Sequence, residues 1–145
     1  KLKRYHIDVY CPEWSRESIL KFTKDLTGKQ LTCSYHASKK FERLSREYKR
    51  AVKGLLRTLD LELSVDYIFE FYTNDKNEVK KVCYRFPMGG LLRSDIIFVI
   101  SSTGKLVTIF LNKNFDPHLT LDRNLYEQGE INARDLQNSN SLDSG

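Results

Sequence analysis

Cysteine is scarce in this chain, and its three cysteines lie far apart in the sequence. Cys11, Cys33 and Cys83 form no Cys-x-x-Cys pair, which argues against a zinc site built on cysteine. An odd number of widely separated cysteines is typical of reduced thiols in a reducing compartment. We therefore expect three separate, buried thiols and no disulfide.

Long apolar runs are also missing. No stretch approaches the roughly 20 residues that a membrane-spanning helix needs, and the first residues show no signal-peptide core. The sequence has no glycine-rich phosphate loop, no acidic pair spaced for a metal and no Ser-His-Asp order. These features favour a soluble, cytoplasmic protein, and we expect it to use no metal and no cofactor.

The length and charge of the chain favour one small basic domain. It has 145 residues, with 24 lysines and arginines against 19 aspartates and glutamates, so its net charge is +5. An excess of positive charge favours polyanionic partners such as RNA or an acidic protein. We expect a single α+β domain over residues 1–128 and a polar, disordered tail over residues 129–145.

The clearest pattern in the chain predicts one long helix over residues 37–59. Apolar residues recur there at steps of three and four, which is typical of a buried helix face. They are Phe41, Leu44, Tyr48, Val52, Leu55 and Leu59. Basic residues recur at similar steps on another face: Lys39, Arg43, Arg46, Arg50, Lys53 and Arg57. This second face is either an ordinary solvated surface or a phosphate-binding surface.

The second half of the chain is predicted to form strands. Residues 67–73, 78–86, 94–101 and 105–112 are rich in β-formers and are separated by short turn signals. A first strand over residues 5–10 and a helix over residues 14–26 come earlier in the chain. We expect an α+β fold in which N-terminal helices pack on a four-stranded antiparallel meander.

Among the three histidines, His36 is the candidate for acid or base chemistry. It lies where an extended segment enters the basic helix, beside Lys39 and Lys40. Histidine at such a position is either a general acid or base or a structural residue at the helix entry. His6 lies in a predicted strand among apolar neighbours, so we expect a structural role for it.

The stretch SYHASKKFERL resembles the His-Ala-x-x-(Lys/Arg) helix entry of small RNases in the RelE-like and barnase-like superfamily, which includes phage endoribonucleases. The order of helices and strands is similar as well. The resemblance implies metal-independent cleavage of RNA, in which the 2′-hydroxyl attacks the adjacent phosphate. It also implies a toxin or phage effector, with an antitoxin as a possible acidic partner.

The resemblance assigns roles to particular residues. His36 is the acid or base, and Lys39, Lys40 and Arg43 lie near the phosphate. The basic helix face that continues from them adds Arg46 and Arg50 as predicted RNA-binding residues. Arg85 and Arg93 flank a wide turn. They either hold the phosphate, because a guanidinium fork matches phosphate oxygens, or only keep the strand edge soluble. Thr108 and Asn112 on the last strand complete the predicted site. Tyr126 is the candidate for the aromatic or basic residue that this superfamily often has near the C-terminus.

Two other hypotheses compete with this one. FDPHLTLDR resembles the His-x-Thr signature of two-histidine phosphoesterases, which act on RNA ends or cyclic nucleotides. His118 and Thr120 would share one face of a strand there, since residues two apart in a strand point the same way. His36 and Ser38 are the candidates for the second motif. The third hypothesis is a basic binding or inhibitor protein without enzyme activity.

Overall fold

The computed structural model describes residues 1–114, 116 and 123–129, and it confirms the predicted α+β class. The helices of this part of the chain are α1 (Ser15–Leu26), α2 (Tyr35–Glu42) and α3 (Arg46–Thr58). The strands are β1 (Lys3–His6), β2 (Thr32–Cys33), β3 (Ile68–Thr73), β4 (Val79–Phe86), β5 (Ser94–Ser101) and β6 (Lys105–Lys113). Short 3₁₀ turns occupy Val65–Tyr67 and Arg123–Leu125.

Within the described residues the sheet is already larger than predicted, with six strands in the order β1-β3-β4-β5-β6-β2. The four central strands form the expected antiparallel meander. The prediction of a four-stranded antiparallel sheet was nevertheless wrong, because β1 pairs antiparallel with β3 and β2 pairs parallel with β6. The first strand also begins and ends earlier than the predicted 5–10, since the backbone turns back on itself after His6. Strands that pair over such long sequence distances leave no local sequence pattern from which the pairing could be predicted.

The two faces of the sheet bury different sets of side chains. All three helices contribute to the core on one face, here called the helix face. Its largest fully buried side chains include Phe71, Tyr84 and Phe98. The opposite face, here called the far face, has its own smaller apolar cluster. Buried there are Phe69, Cys83, Ile97 and Val99.

The single helix predicted over residues 37–59 is in fact two helices. α2 ends at Glu42, and Ser45 takes an extended conformation (φ −64°, ψ 163°) at the start of α3. Serine is a favoured residue at the start of a helix, although the side chain of Ser45 makes no capping hydrogen bond here. The break went undetected because the apolar positions on both sides of it, including Leu44 and Tyr48, pack on the same core.

Two further expectations concern the cysteines and the C-terminal tail. Cys83 is buried as predicted, but Cys11 and Cys33 are exposed, so the prediction of three buried thiols was wrong. Cys33 lies in the short edge strand β2, which has an exposed pattern, and Cys11 lies in a loop. The predicted tail lies outside the described residues, apart from Gly129. No helix in the described ranges is long and apolar enough to cross a bilayer.

Candidate functional site

His36 lies in the first turn of α2 with its side chain exposed. The helix entry is fixed by Ser34, whose Oγ accepts a hydrogen bond from the Ala37 amide (2.9 Å) and donates one to the Val107 carbonyl (2.6 Å). This cap satisfies a helix-terminal amide and ties α2 to β6. The imidazole is therefore displayed to solvent from a well-anchored helix end.

The side chain of Arg85 lies on the far face of the sheet, and its guanidinium is hydrogen-bonded to groups within the protein. Its Nε donates to Asp95 Oδ2 (2.8 Å), and its Nη2 donates to the Lys113 carbonyl (3.0 Å). The other oxygen of Asp95 accepts a hydrogen bond from the Met88 amide (3.2 Å). Arg85 and Asp95 thus hold the wide connection between β4 and β5 in place. Arg93 lies exposed just before β5.

The structure does not bring His36 and Arg85 together. Ser34 is bound to the carbonyl of Val107, whereas Arg85 is bound to that of Lys113. The two carbonyls are six residues apart on β6 (113 − 107 = 6), which corresponds to about 20 Å at the usual rise of a strand. α2 also packs on the helix face, and Arg85 lies on the far face. One phosphate cannot contact both side chains in this arrangement.

The remaining predicted residues are divided between the sheet and α2. Thr108 and Asn112 are half-buried on β6, opposite Val99 and Asp95, so Asn112 lies near the Arg85 pair and far from His36. His118 and Thr120 lie outside the described residues. In α2, Lys39 forms an ion pair with Glu42 (3.6 Å) and Lys40 is half-buried, while Arg43 lies exposed just after the helix.

Helix α3 carries the densest positive charge in the described structure. Five of its cations line one shallow groove of about 460 Å³, together with Gly54. We call them the α3 cationic surface: Arg46, Lys49, Arg50, Lys53 and Arg57. The sequence predicted Arg46 and Arg50 as RNA-binding residues but did not single out Lys49, which lies between the predicted apolar and basic faces.

No cation of this surface forms an ion pair with a described residue. The only acid in α3 is Glu47 in its first turn. Arg46 and Arg57 are eleven residues apart (57 − 46 = 11), so the surface extends for about 16 Å along the helix axis. Five like charges on one helix repel one another, which makes this surface suited to an anionic partner.

A second charged group lies on the far face around Glu70, a buried carboxylate in the middle of β3. Its Oε1 accepts hydrogen bonds from Arg4 Nη2 (3.0 Å) and from the hydroxyl of Tyr126 (2.6 Å). Its Oε2 accepts from the hydroxyl of Tyr72 (3.0 Å) and from Cys83 Sγ (3.5 Å). We call these five residues the Glu70 cluster. They join β1, β3, β4 and the segment that contains Tyr126.

The protonation of the cluster follows from its burial and its hydrogen bonds. Burial opposes the charge of Glu70, but the hydrogen bonds from Tyr126 and Arg4 and the charge of Arg4 lower its pKa. Burial and the nearby carboxylate raise the pKa values of Tyr72, Tyr126 and Cys83. The carboxylate is therefore ionised and its partners remain proton donors, so the cluster is a closed network and not a free acid or base.

Sequence reasoning missed Glu70, although one signal was present. The residue is an acid between two phenylalanines in a predicted strand, and a buried charge requires partners. Tyr126 had been considered only through the resemblance to RNases. His6 is buried next to the cluster, where its Nδ1 accepts a hydrogen bond from the Asp8 amide (3.1 Å), in line with its predicted structural role.

No group of three or more His, Cys, Asp or Glu residues in the described ranges is placed to hold a metal ion. The two charged groups differ in what they offer to a ligand. Both carboxylate oxygens of Glu70 are occupied by residues of its own cluster, whereas the α3 cationic surface is largely exposed. Comparison of the chain with models of protein families, with curated proteins and with solved structures gives no match.

Proposed function

We propose that this protein binds RNA through the α3 cationic surface. The observation that carries the proposal is the group of five cations on one helix face, none of which is neutralised by a described acid. Charges left unpaired in this way are available to phosphates, and phosphate contacts supply most of the affinity of sequence-independent nucleic-acid binding.

We favour RNA over other polyanions as the partner because of the residues that precede α3. The stretch at the α2 entry resembles the helix entry of small RNases, and the same connected helices carry the exposed His36 and the α3 cations. Arginine and lysine contribute differently here: the arginine fork binds phosphate oxygens in pairs, whereas lysine acts as a point charge. A surface with both is suited to a flexible phosphate backbone.

The experiment compares two variants that lose the same charge from different surfaces. One carries Arg46→Ala, Arg50→Ala and Arg57→Ala, and the other carries Lys21→Ala, Lys24→Ala and Lys76→Ala. Both lower the net charge from +5 to +2 (5 − 3 = 2). The affinity of each for a short labelled RNA is measured by fluorescence anisotropy over a range of salt concentrations.

We expect the affinity of the unchanged protein to fall steeply with salt. The α3 variant should lose about two units of the slope of log affinity against log salt, since each phosphate contact of a single strand contributes roughly 0.7. The control variant should keep most of the slope. Equal losses in the two variants would show that net charge alone attracts the RNA, and the proposal would then fail.

Endoribonuclease activity is a second candidate, favoured by the exposure of His36 on an anchored helix end. In this mechanism His36 acts as the acid or base, and loss of such a group typically lowers the rate by about 10²- to 10⁴-fold. The test is incubation with total RNA in the presence of a chelator, comparing the unchanged protein with His36→Ala. If the protein cleaves nothing, or if His36→Ala cleaves equally well, RNA binding alone remains.

A further inference from the structure

A second groove adjoins the α3 cationic surface on one flank of the helix. It has a volume of about 210 Å³, and its lining is polar and apolar in about equal parts. The lining residues that matter here are Leu55, Thr58 and Leu59 of α3, together with Tyr67, Phe86 and Met88. We refer to it as the Tyr67 groove.

Gly54 and Thr58 connect the two grooves. Gly54 lines the cationic groove, Thr58 lines the Tyr67 groove, and the Thr58 hydroxyl donates a hydrogen bond to the Gly54 carbonyl (2.9 Å). Residues four apart on a helix are neighbours on its surface. Gly54 has no side chain, and no other atom lies within 4 Å of the place where its Cβ would be. No side chain at position 54 therefore stands between the cations and the Tyr67 groove.

Tyr67 offers an aromatic surface at the edge of this groove. Its side chain is 46% exposed, whereas Phe86 behind it is only 5% exposed. The two ring centroids are 5.7 Å apart and the ring planes are tilted by 46°, so the buried Phe86 packs against the tyrosine ring. The backbone of Tyr67 is fixed by a hydrogen bond from its amide to the Ser64 carbonyl (2.9 Å). A supported, half-exposed ring is the kind of surface on which a nucleobase stacks.

Building on the proposed function, we infer that the RNA bound by the α3 cationic surface is single-stranded and that one of its bases stacks on Tyr67. The bases of a duplex are stacked on one another, so their faces are not available to a protein side chain. An unpaired strand places phosphates along the cations and turns a base past Gly54 into the Tyr67 groove, where it lies on the tyrosine ring. Aromatic platforms beside basic grooves bind single strands in this way, largely without regard to sequence.

The test measures binding of one RNA sequence as a single strand and as a blunt duplex, at one fixed salt concentration. The variants are Tyr67→Leu, which removes the aromatic ring, Tyr67→Phe, which keeps it, and Tyr35→Leu, a control on the exposed tyrosine of α2. We expect Tyr67→Leu to weaken single-strand binding by roughly 5- to 150-fold, the range for loss of one stacked base. Tyr67→Phe and Tyr35→Leu should bind like the unchanged protein, and duplex binding should be weaker and the same in all.

Circular dichroism and urea unfolding establish that each variant is folded before binding is compared. The inference is overturned if folded Tyr67→Leu binds the single strand normally, or if it loses duplex and single-strand binding equally. These outcomes leave the salt dependence of the α3 variant intact and so differ from failure of the proposed function. Vesicles that contain phosphatidylserine are tested in parallel, and binding to them without binding to RNA overturns both.

Discussion

The Glu70 cluster and the α3 cationic surface use charge in opposite ways. Glu70 is 3% exposed and has a donor for each acceptor position, including the guanidinium of Arg4. The cations of α3 are largely exposed and have no described acid as a partner. A buried charge must be satisfied within the fold, whereas an exposed unpaired charge costs the fold little and remains available to a ligand. The difference separates residues that maintain the structure from residues that can bind.

The largest expected effect comes from removing the charge of Glu70. Glu70→Gln keeps the size of the side chain but takes the counter-charge from Arg4, whose side chain is 27% exposed, so the loss should lie near the lower end of the roughly 3–5 kcal/mol that breaking a buried pair costs. We expect a loss of this size in the free energy of unfolding, measured with urea. Glu62→Gln is the exposed control and should unfold like the unchanged protein. Similar stability in both variants would mean that the cluster is dispensable.

At acid pH, the difference in the free energy of unfolding between the unchanged protein and Glu70→Gln should become smaller. The folded protein lowers the pKa of Glu70 below its usual value, so the carboxylate stabilises the fold fully above the unfolded-state pKa of about 4.3. As the pH falls below about 5, the unfolded chain takes up the proton first, and this stabilisation is lost as the pH passes through the lowered native pKa. Urea midpoints measured from pH 7 downward should converge for the two proteins. A difference in urea midpoint that stays the same at every pH would contradict the lowered pKa assigned to Glu70.

A smaller gain in stability is expected for Gly54→Ala. The substituted glycine lies inside α3, its φ is not in the left-handed region, and a Cβ there meets no atom within 4 Å. Alanine in a helix interior is more stable than glycine by about 0.5–1 kcal/mol. The melting temperature should therefore rise. The Gly28→Ala control should be destabilising instead, since Gly28 has a φ of +82°.

The smallest effect on stability should come from the α3 cations themselves. Arg50→Ala removes an exposed side chain without an ion pair among the described residues, so the free energy of unfolding should change by less than about 0.5 kcal/mol. The same change should weaken RNA binding, measured by anisotropy at low salt. If Arg50→Ala destabilised the protein as strongly as Glu70→Gln, the contrast between the two charged groups would disappear.

Local sequence patterns predicted the elements better than their partners. The strand predicted over residues 94–101 is β5, and the apolar positions predicted for the long helix contact the core in α2 and α3. The break at Ser45 was not predicted, because apolar residues continue to recur at steps of three and four across it. The Glu70 cluster was not predicted for another reason. Arg4 and Tyr126 lie 66 and 56 residues from Glu70 along the chain. Periodicity describes one element at a time and carries no information on such distant pairs.

The anchoring of Ser34 to Val107 has a consequence for the order in which the protein can assemble. The two residues are 73 positions apart, and β2 is held in the sheet by its pairing with β6. During synthesis the residues of β2 and the start of α2 therefore have no partner until the last strand of the sheet has been made. Contacts of such long range slow folding, because the intervening chain must be ordered first. A fragment that stops before Lys105 lacks β6, so β2 and the start of α2 lose the pairing and the hydrogen bond that hold them to the sheet.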